Sequence, residues 1–244
     1  MEMLMLKKVV RPLVAALGFL VLAQGAAWAD ESDVKKAVEA FVGSPAVESV
    51  AKVPYGGLYE VVLKSGELIY TDDKVTFFLD GRVIDTKTRK DVTAARMAQL
   101  SSIDFASLPL DHAIKQVRGN GSRVLVTFED PNCTYCKRLG KELVQMKDVT
   151  LYTFLYPILS PDSTEKARNI WCAKDRAKAW NEWILEAKTP AVAKCDSAVV
   201  DRNVALGQKL RVNGTPTLFL ADGRRLGGYV PAAELEQHLA SVAK

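Results

Sequence analysis

Two cysteines three positions apart, Cys133 and Cys136, follow directly on an apolar run and limit most strongly how this chain can fold. The run Val124–Phe128 is typical of a strand, and residues 133–146 of a helix that begins at the first cysteine. A helix N-terminus offers unpaired N–H groups and a positive dipole end, which favour a thiolate. We therefore predict that Cys133 is an exposed nucleophile, and that Cys136, one turn further and more buried, resolves mixed disulfides.

A metal site and a purely structural bridge are the alternatives for this pair. A zinc site needs further ligands, and the chain offers only two histidines, His112 and His238, with two distant cysteines. We expect no metal and no other cofactor. A redox-active disulfide between Cys133 and Cys136 is the favoured interpretation, with a structural bridge left as the second.

The N-terminal 29 residues have the pattern of a secretory signal peptide. A basic stretch containing Lys7, Lys8 and Arg11 precedes a short apolar run, and Ala27-Trp28-Ala29 is a small-x-small cleavage pattern. Cleavage near Ala29 would put all four cysteines in a compartment that permits disulfides. It would remove three basic residues and one acidic residue, which lowers the net charge from +4 to about +2. Such a balance gives no reason to expect a nucleic-acid partner.

The rest of the chain is predicted to divide into a small N-terminal domain at 30–87, a linker helix at 88–109, which could instead be the first helix of the next domain, and a second domain at 110–244. In the first domain, a helix at 32–42 precedes short strands separated by turn signals, which we place at 47–53, 58–63, 67–71, 75–79 and 82–85. An edge strand of so small a sheet could pair with a second copy, so dimerisation is a hypothesis here.

Strands and helices alternate beyond residue 110, as in a thioredoxin-like α/β domain with an inserted helical block. The strands are predicted at 123–129, 149–156, 217–221 and 225–230, and the helices at 133–146, 162–189, 201–211 and 232–242. The tryptophans of the inserted block are interpreted as packing core.

A second candidate feature, Gly214-Thr215-Pro216-Thr217, directly precedes a predicted strand. We predict a cis Thr215–Pro216 bond in a loop that faces the cysteines and pairs with an extended substrate chain. The alternative is an ordinary loop proline.

Four other residues are candidates for supporting roles. Cys172 and Cys195 are predicted to form a structural disulfide, with a second redox relay as the alternative. Glu129 and Asp130 could act as a base for Cys136, or be a solvated residue or helix cap. Position alone does not decide between these roles.

The chain resembles the DsbC/DsbG family of periplasmic thiol:disulfide isomerases. The resemblance rests on the stretch Phe128–Cys136, on the later Cys172 and Cys195, and on Gly214–Thr217. It implies a small α+β (cystatin-like) dimerisation domain, a linker helix and a thioredoxin-like catalytic domain, assembled as a V-shaped homodimer. Between the cysteines this chain has Thr134-Tyr135 where the family's best-known dipeptide is Gly-Tyr, a departure that bears on the reduction potential.

The resemblance also implies a function. A protein of this kind isomerises or reduces incorrect disulfides in misfolded exported proteins, contributes chaperone activity, and is kept reduced by a DsbD-like membrane reductase in the periplasm. The alternatives are a DsbG-like reductase of oxidised cysteines, a monomeric DsbA-like oxidant, and a holdase chaperone that makes little use of its cysteines.

Overall fold

A computed structural model describes residues 30–242 of the chain, and the predicted signal peptide lies outside them. The described residues form two β-sheets, one of three strands and one of five, joined by a short helical segment. Over this range no helix is both long and apolar enough to cross a bilayer.

The N-terminal unit packs one helix on a three-stranded antiparallel sheet. Helix α1 (Glu31–Val42) begins at Asp30, whose carboxylate caps the N–H of Asp33, and ends at Gly43, whose φ of 75° suits glycine. The strands are β1 (Val47–Lys52), β2 (Tyr59–Leu63) and β3 (Leu68–Thr71). Val34 and Val38 of α1 are fully buried against this sheet.

The prediction of further strands at 75–79 and 82–85 is wrong. The chain turns sharply at residues 72–75, where the N–H of Val75 donates to the Asp72 carbonyl and Val75 has a φ of 54°, and the carboxylate of Asp72 accepts hydrogen bonds from the N–H and hydroxyl of Thr76. Only a single bridge joins Leu79 to Tyr70. Local alternation of apolar residues imitated a strand, whereas side-chain capping of the backbone made a turn.

The segment between the two sheets contains helix α2 (Val92–Leu100), which is shorter than the predicted helix. Arg96 of α2 forms an ion pair of 2.8 Å with the buried Glu60 of β2. At the other end, the N–H of Ile103 donates to the carbonyl of Gly223, 3.0 Å away. The segment is therefore bonded to both sheets.

The C-terminal unit has a five-stranded mixed sheet with the order β4-β6-β5-β7-β8. Its strands are β4 (Ile114–Arg118), β5 (Arg123–Glu129), β6 (Val149–Leu155), β7 (Thr217–Leu220) and β8 (Arg225–Gly227). Its helices are α3 (Thr134–Gln145), α4 (Pro161–Cys172), α5 (Arg176–Glu186), α6 (Ala198–Lys209) and α7 (Ala232–Val242). The sequence analysis did not predict β4, whose alternate residues are exposed at the edge of the sheet.

Side chains on β5 alternate between the two faces of the sheet and thereby separate two cores. Leu125 packs with Leu139 of α3, in a cluster that also includes α7. Phe128 points the other way and stacks on Phe154 at 4.8 Å between ring centroids. This arrangement places the end of β5, directly before the cysteines, in the middle of the domain.

Candidate active site

The two neighbouring cysteines lie where β5 passes into α3. Cys133 caps the N-terminus of α3, and its Sγ accepts a hydrogen bond of 3.3 Å from the N–H of Cys136. Both cysteines are free thiols. Cys136 is fully buried, on the same side of the helix as Leu139 and Leu143.

The surroundings of the two sulfurs shift their pKa values in opposite directions. A hydrogen bond from the Cys136 thiol, together with hydrogen bonds from the Thr215 side chain and the first N–H groups of the helix, lowers the pKa of Cys133 to about 6. Burial raises the pKa of Cys136, and the neighbouring Cys133 and Glu129 raise it further. At neutral pH the pair therefore consists of one thiolate and one thiol, which is the arrangement that disulfide exchange requires.

The loop at Thr215 and Pro216 covers the first cysteine from the other side. The Thr215–Pro216 bond is cis, and the Cys133 Sγ lies 3.2 Å from the Thr215 carbonyl oxygen, to which the S–H donates when the thiol is protonated. The fold thus brings together residues that are 82 positions apart. Cys133 is only 5% exposed, so the expectation of an exposed sulfur is wrong. The reason is the covering loop, whose position depends on the packing of the whole sheet.

Asp130 holds the loop between β5 and α3 in place. One of its carboxylate oxygens accepts from the N–H of Asn132 and the hydroxyl of Ser163, both at 2.7 Å. The other accepts from the N–H groups of Ile158 and Leu159, at 2.8 and 2.9 Å. Each oxygen already accepts two hydrogen bonds, which favours a structural role for this buried carboxylate over a role as base.

Trp183 is a residue near the site that the sequence analysis assigned only to the core. Its indole N–H donates to the carbonyl of Pro131 at 2.6 Å, which ties helix α5 to the loop before Cys133. The ammonium groups of Lys137 and Lys166 lie over the same ring, 4.3 and 4.8 Å from its centroid. No local pattern signals this contact, because α5 and the loop are 52 positions apart.

Glu129, one of the two acids that the sequence analysis offered as a candidate base, is also buried near the site. It is 1% exposed, and burial raises the pKa of its carboxyl to about 8, with the charge of Cys133 as a smaller raising cause. The hydroxyl of Thr127 donates to one of its oxygens at 2.7 Å. A carboxyl with this pKa can exchange protons near neutral pH.

The other two cysteines form a disulfide in the structure. Cys172, at the end of α4, is bonded to Cys195 with an S–S distance of 2.02 Å and a Cα–Cα distance of 5.4 Å. The bond lines an open groove together with the segment Pro157–Pro161, which Asp130 fastens to the active-site loop. Within residues 30–242, no group of three or more histidine, cysteine or acidic side chains is arranged to hold a metal ion.

Known proteins with similar sequences and structures agree with this geometry. A family model for a thioredoxin-like domain matches residues 110–243, and one for a disulfide bond isomerase protein N-terminal domain matches residues 25–94. A probable thiol:disulfide interchange protein DsbC of Bordetella pertussis is 53% identical over 193 residues, which cover 79% of this chain and 68% of that protein. The thiol:disulfide interchange protein DsbC of Escherichia coli is 27% identical and covers 91% of this chain and 93% of its own length.

One solved structure is also similar. The crystal structure of a disulfide interchange protein from Neisseria gonorrhoeae has a TM-score of 0.53 and 44% sequence identity. The match covers 55% of this chain and 97% of that one.

The fold and the dithiol at the start of α3 define a thioredoxin-fold thiol–disulfide oxidoreductase. The chain belongs to the DsbC family of thiol:disulfide interchange proteins. The predicted fold class, with a thioredoxin-like domain after a DsbC-type N-terminal domain, is confirmed, and so is the predicted enzyme class.

Proposed function

We propose that this protein rearranges and reduces incorrect disulfides in exported proteins, with Cys133 as the nucleophile. The observation that carries this proposal is the set of hydrogen bonds around the Cys133 sulfur, which keeps its pKa at about 6 beside a protonated Cys136. The Cys133 thiolate attacks one sulfur of a substrate disulfide. The other substrate sulfur leaves as a thiolate and takes a proton from solvent.

The mixed disulfide can then be released in two ways. In isomerisation, a second substrate thiolate attacks the substrate sulfur bonded to Cys133, so a new substrate disulfide forms with no net transfer of electrons. In reduction, Cys136 attacks the Cys133 sulfur, the enzyme pair becomes a disulfide, and the substrate gains two electrons and leaves as a thiol. A DsbD-like membrane reductase would then return the dithiol.

The loop at Thr215 and Pro216 is the proposed contact for the substrate backbone. It lies against the Cys133 sulfur, and two large side chains near the cysteines, Tyr135 and Leu159, are 54% and 57% exposed. An extended, misfolded chain offers both free backbone groups and apolar side chains to such a surface.

The proposed division of the chain assigns dimerisation to 30–87, a linker to 88–109 and catalysis to 110–244. A homodimer would place two active sites on one particle, and exposed apolar residues of the N-terminal unit, including Phe41 at 76% and Phe77 at 45%, would support a chaperone contribution. Sedimentation of the protein without residues 1–29 tests the dimer, since a monomer at working concentration would contradict it.

Refolding of a scrambled multi-disulfide substrate tests the exchange proposal. We expect Cys133→Ala to lose isomerisation completely, whereas Cys136→Ala keeps part of it, because only the reductive release needs the second thiol. Both variants should still suppress aggregation of a reduced substrate. Native yields of wild-type size from Cys133→Ala would overturn the enzyme mechanism and leave the holdase alternative.

Appearance of the chain in a periplasmic fraction, with an N-terminus near Asp30, tests the proposed localisation and cleavage. Retention of residues 1–29 in the exported protein would contradict the cleavage site.

A further inference from the structure

The chain contains two asparagine–glycine pairs, Asn120-Gly121 and Asn213-Gly214, and the second directly precedes Thr215. Asparagine is chemically labile. In such a pair the backbone nitrogen of the glycine can attack the side-chain amide carbon of the asparagine, because glycine has no Cβ to hinder the approach. How fast this happens depends on how firmly the fold holds the two groups in place. The exchange steps described above give the second pair no role.

The reacting groups of the Asn213-Gly214 pair are not held by the fold. Both residues are exposed. Within residues 30–242, neither the side-chain amide of Asn213 nor the N–H of Gly214 has a hydrogen-bond partner. A Cβ at Gly214 would point into open space, so nothing packs against the pair there. Attack by the glycine nitrogen therefore requires no hydrogen bond to break first.

The Asn120-Gly121 pair has an asparagine that is also exposed, but its reacting groups are bonded. The Asn120 Oδ1 accepts from the N–H of Ser122 at 2.9 Å, and the Gly121 N–H donates to the carbonyl of Arg118 at 3.1 Å. The carboxylate of Asp148 accepts from the Asn120 N–H at 3.0 Å and places a negative charge beside the pair. Such a charge disfavours loss of the glycine N–H proton, on which the attack depends. The fold therefore protects this pair.

The charges around Asn213 are mainly positive. Asn213 lines a cavity of about 430 Å³ between the two units. Three basic and two acidic residues line the same cavity, namely Lys209, Arg211, Arg225, Glu48 and Asp104. Arg211 and Glu48 pair with each other at 2.6 Å, and the Nε of Arg225 is buried with no hydrogen-bond partner in the described part of the chain. The excess of positive charge favours both loss of the glycine N–H proton and a carboxylate at position 213.

The link formed by Asn213 and Gly214 lies between two anchored points. Before it, Val212 is buried, and its carbonyl accepts from the hydroxyl of Tyr156 at 2.8 Å. After it, the carbonyl of Gly214 accepts from the hydroxyl of Thr217 at 2.8 Å. An isoaspartate carries the main chain through its Cβ and so adds one atom between these points. The contacts on one side of the link must shift when it becomes longer.

We propose that Asn213 is a site of spontaneous deamidation, and that its isoaspartate form withdraws Thr215 from the Cys133 sulfur. The Gly214 N–H gives its proton to solvent, its nitrogen bonds to the Asn213 side-chain carbon, and ammonia leaves. Water then opens the cyclic imide at either carbonyl, which gives aspartate or isoaspartate and one new negative charge, with no transfer of electrons. The effect on turnover rests on the proposed role of Cys133, whereas the modification itself does not.

Withdrawal of Thr215 should change the first cysteine in a measurable way. The hydrogen bond from Cys136 is the main cause that lowers the pKa of Cys133 to about 6, and the hydrogen bond from Thr215 lowers it as well. We therefore expect the pKa of Cys133 to rise above about 6 when isoaspartate forms. Substrate reduction should then slow, because a smaller fraction of Cys133 is thiolate at neutral pH.

Storage of the full-length protein in mildly alkaline buffer with a reductant, followed by mass spectrometry of its peptides, tests the modification. We expect Asn213 to deamidate about tenfold faster than Asn120, because a hydrogen bond of Gly121 must break before its nitrogen can attack. Labelling by an isoaspartate-specific methyltransferase identifies the isoaspartate product. Equal rates at the two asparagines, or a faster rate at Asn120, would overturn the proposal.

The pH dependence of Cys133 alkylation, measured before and after storage, tests the withdrawal of Thr215. In the stored wild type we expect the midpoint to rise above about 6 and insulin reduction to fall with the modified fraction. Asn213→Gln should keep both values, because its longer side chain closes a ring much more slowly. Asn120→Gln, the matched control, should change on storage as the wild type does. An unchanged midpoint in protein whose Asn213 is fully modified would contradict the withdrawal.

The variant Asn213→Asp, measured fresh, separates the added charge from the longer main chain. It carries the carboxylate on a normal backbone, so we expect its midpoint to stay near that of fresh wild type. A midpoint as high as that of the stored protein would assign the effect to charge and overturn the displacement of the loop. Failure of the proposed function would look different, since fresh wild type would then not reduce insulin, while the alkylation midpoints would still report on the loop.

Discussion

The two cysteine pairs differ in a way that exposure alone does not explain. Cys133 and Cys136 are buried and present as thiols, whereas Cys172 and the exposed Cys195 are joined in a disulfide. Access to solvent therefore does not mark the pair that is suited to exchange.

The position of the helical cysteine in each pair explains the difference, since Cys195 lies in the loop between α5 and α6. Cys133 caps the N-terminus of α3, where N–H groups and the positive end of the dipole stabilise a thiolate. Cys172 is the last residue of α4, where carbonyl groups and the negative end of the dipole disfavour one. A cysteine is thus a reactive thiolate at the N-terminus of a helix and part of a stable disulfide at the C-terminus of another.

The strongest test of this comparison removes cysteines of each pair in turn and measures the enzymatic activity that remains. Cys133→Ser should remove all measurable reduction of insulin, because a serine hydroxyl is not a nucleophile at neutral pH. The matched double variant Cys172→Ser/Cys195→Ser should keep the wild-type rate per folded molecule. A comparable loss of rate in both would make the second pair a redox relay and end the distinction.

For stability we expect the opposite result, with the Cys172–Cys195 pair contributing more than the Cys133–Cys136 pair. Opening the Cys172–Cys195 bond, which closes a loop of 23 positions, should lower the free energy of unfolding by about 3 kcal/mol. Urea unfolding with and without a reductant measures this loss, with Cys172→Ser/Cys195→Ser as the control for any effect of reducing the Cys133–Cys136 pair. Equal wild-type midpoints in both conditions would show that the bond contributes nothing.

The pH dependence of alkylation separates the two free thiols. Reaction of Cys133 with iodoacetamide should rise about tenfold per pH unit below about 6 and level off above it, because the thiolate is the reacting form. Cys136, whose pKa burial raises, should remain unmodified in the folded protein. Mass spectrometry of peptides from the labelled protein locates the modification, and labelling mainly at Cys136 would reverse the assigned roles.

The same lowered pKa should affect stability. The unfolded thiol of Cys133 still holds its proton between pH 6 and 9, whereas the folded one has lost it. The reduced protein should therefore gain stability from this group as pH rises through that window, and lose it as pH falls through about 6. Comparison with Cys133→Ala isolates the contribution, and parallel curves would contradict it.

The smallest expected effect concerns Trp183. Trp183→Phe leaves the Pro131 carbonyl without its indole donor, at a cost of about 1–3 kcal/mol, and should slow attack by Cys133 several-fold by loosening the loop before it. Trp180→Phe, in the same cluster of the helical block, is the control for lost packing. Equal effects of both variants on the attack rate would show that the bond to Pro131 does not position Cys133.

Local patterns predicted much of the fold but failed in identifiable places. Pro231 at the first turn located α7, and the alternation of elements after residue 110 predicted the thioredoxin-like class that the family match confirms. The strand predicted at 75–79 failed because Asp72 caps a turn directly before it, and the one predicted at 82–85 forms only an isolated bridge between Ile84 and Asp91. Strand β4 was missed because its pattern of one buried residue among polar neighbours resembles a loop.

The sequence by itself determined the chemistry that the site can support. Two cysteines three positions apart after an apolar strand place a thiol at a helix N-terminus, because the strand, the turn and the helix are all local structures. The spacing of Cys136 likewise puts the second sulfur one turn along the same helix. These features depend on neighbours in the chain and could be inferred without a structure.

Only the tertiary structure decided how that chemistry is controlled. The Thr215 carbonyl over Cys133 comes from 82 positions away, the Trp183 bond to Pro131 from 52, and the small cavity that Glu129 lines from β4, β5, β6, α3 and α5 together. Burial and hydrogen bonding set the pKa values of buried groups, and both depend on which distant elements pack together. No local pattern carries that information, which is why Glu129 could be noted from the sequence but not assigned.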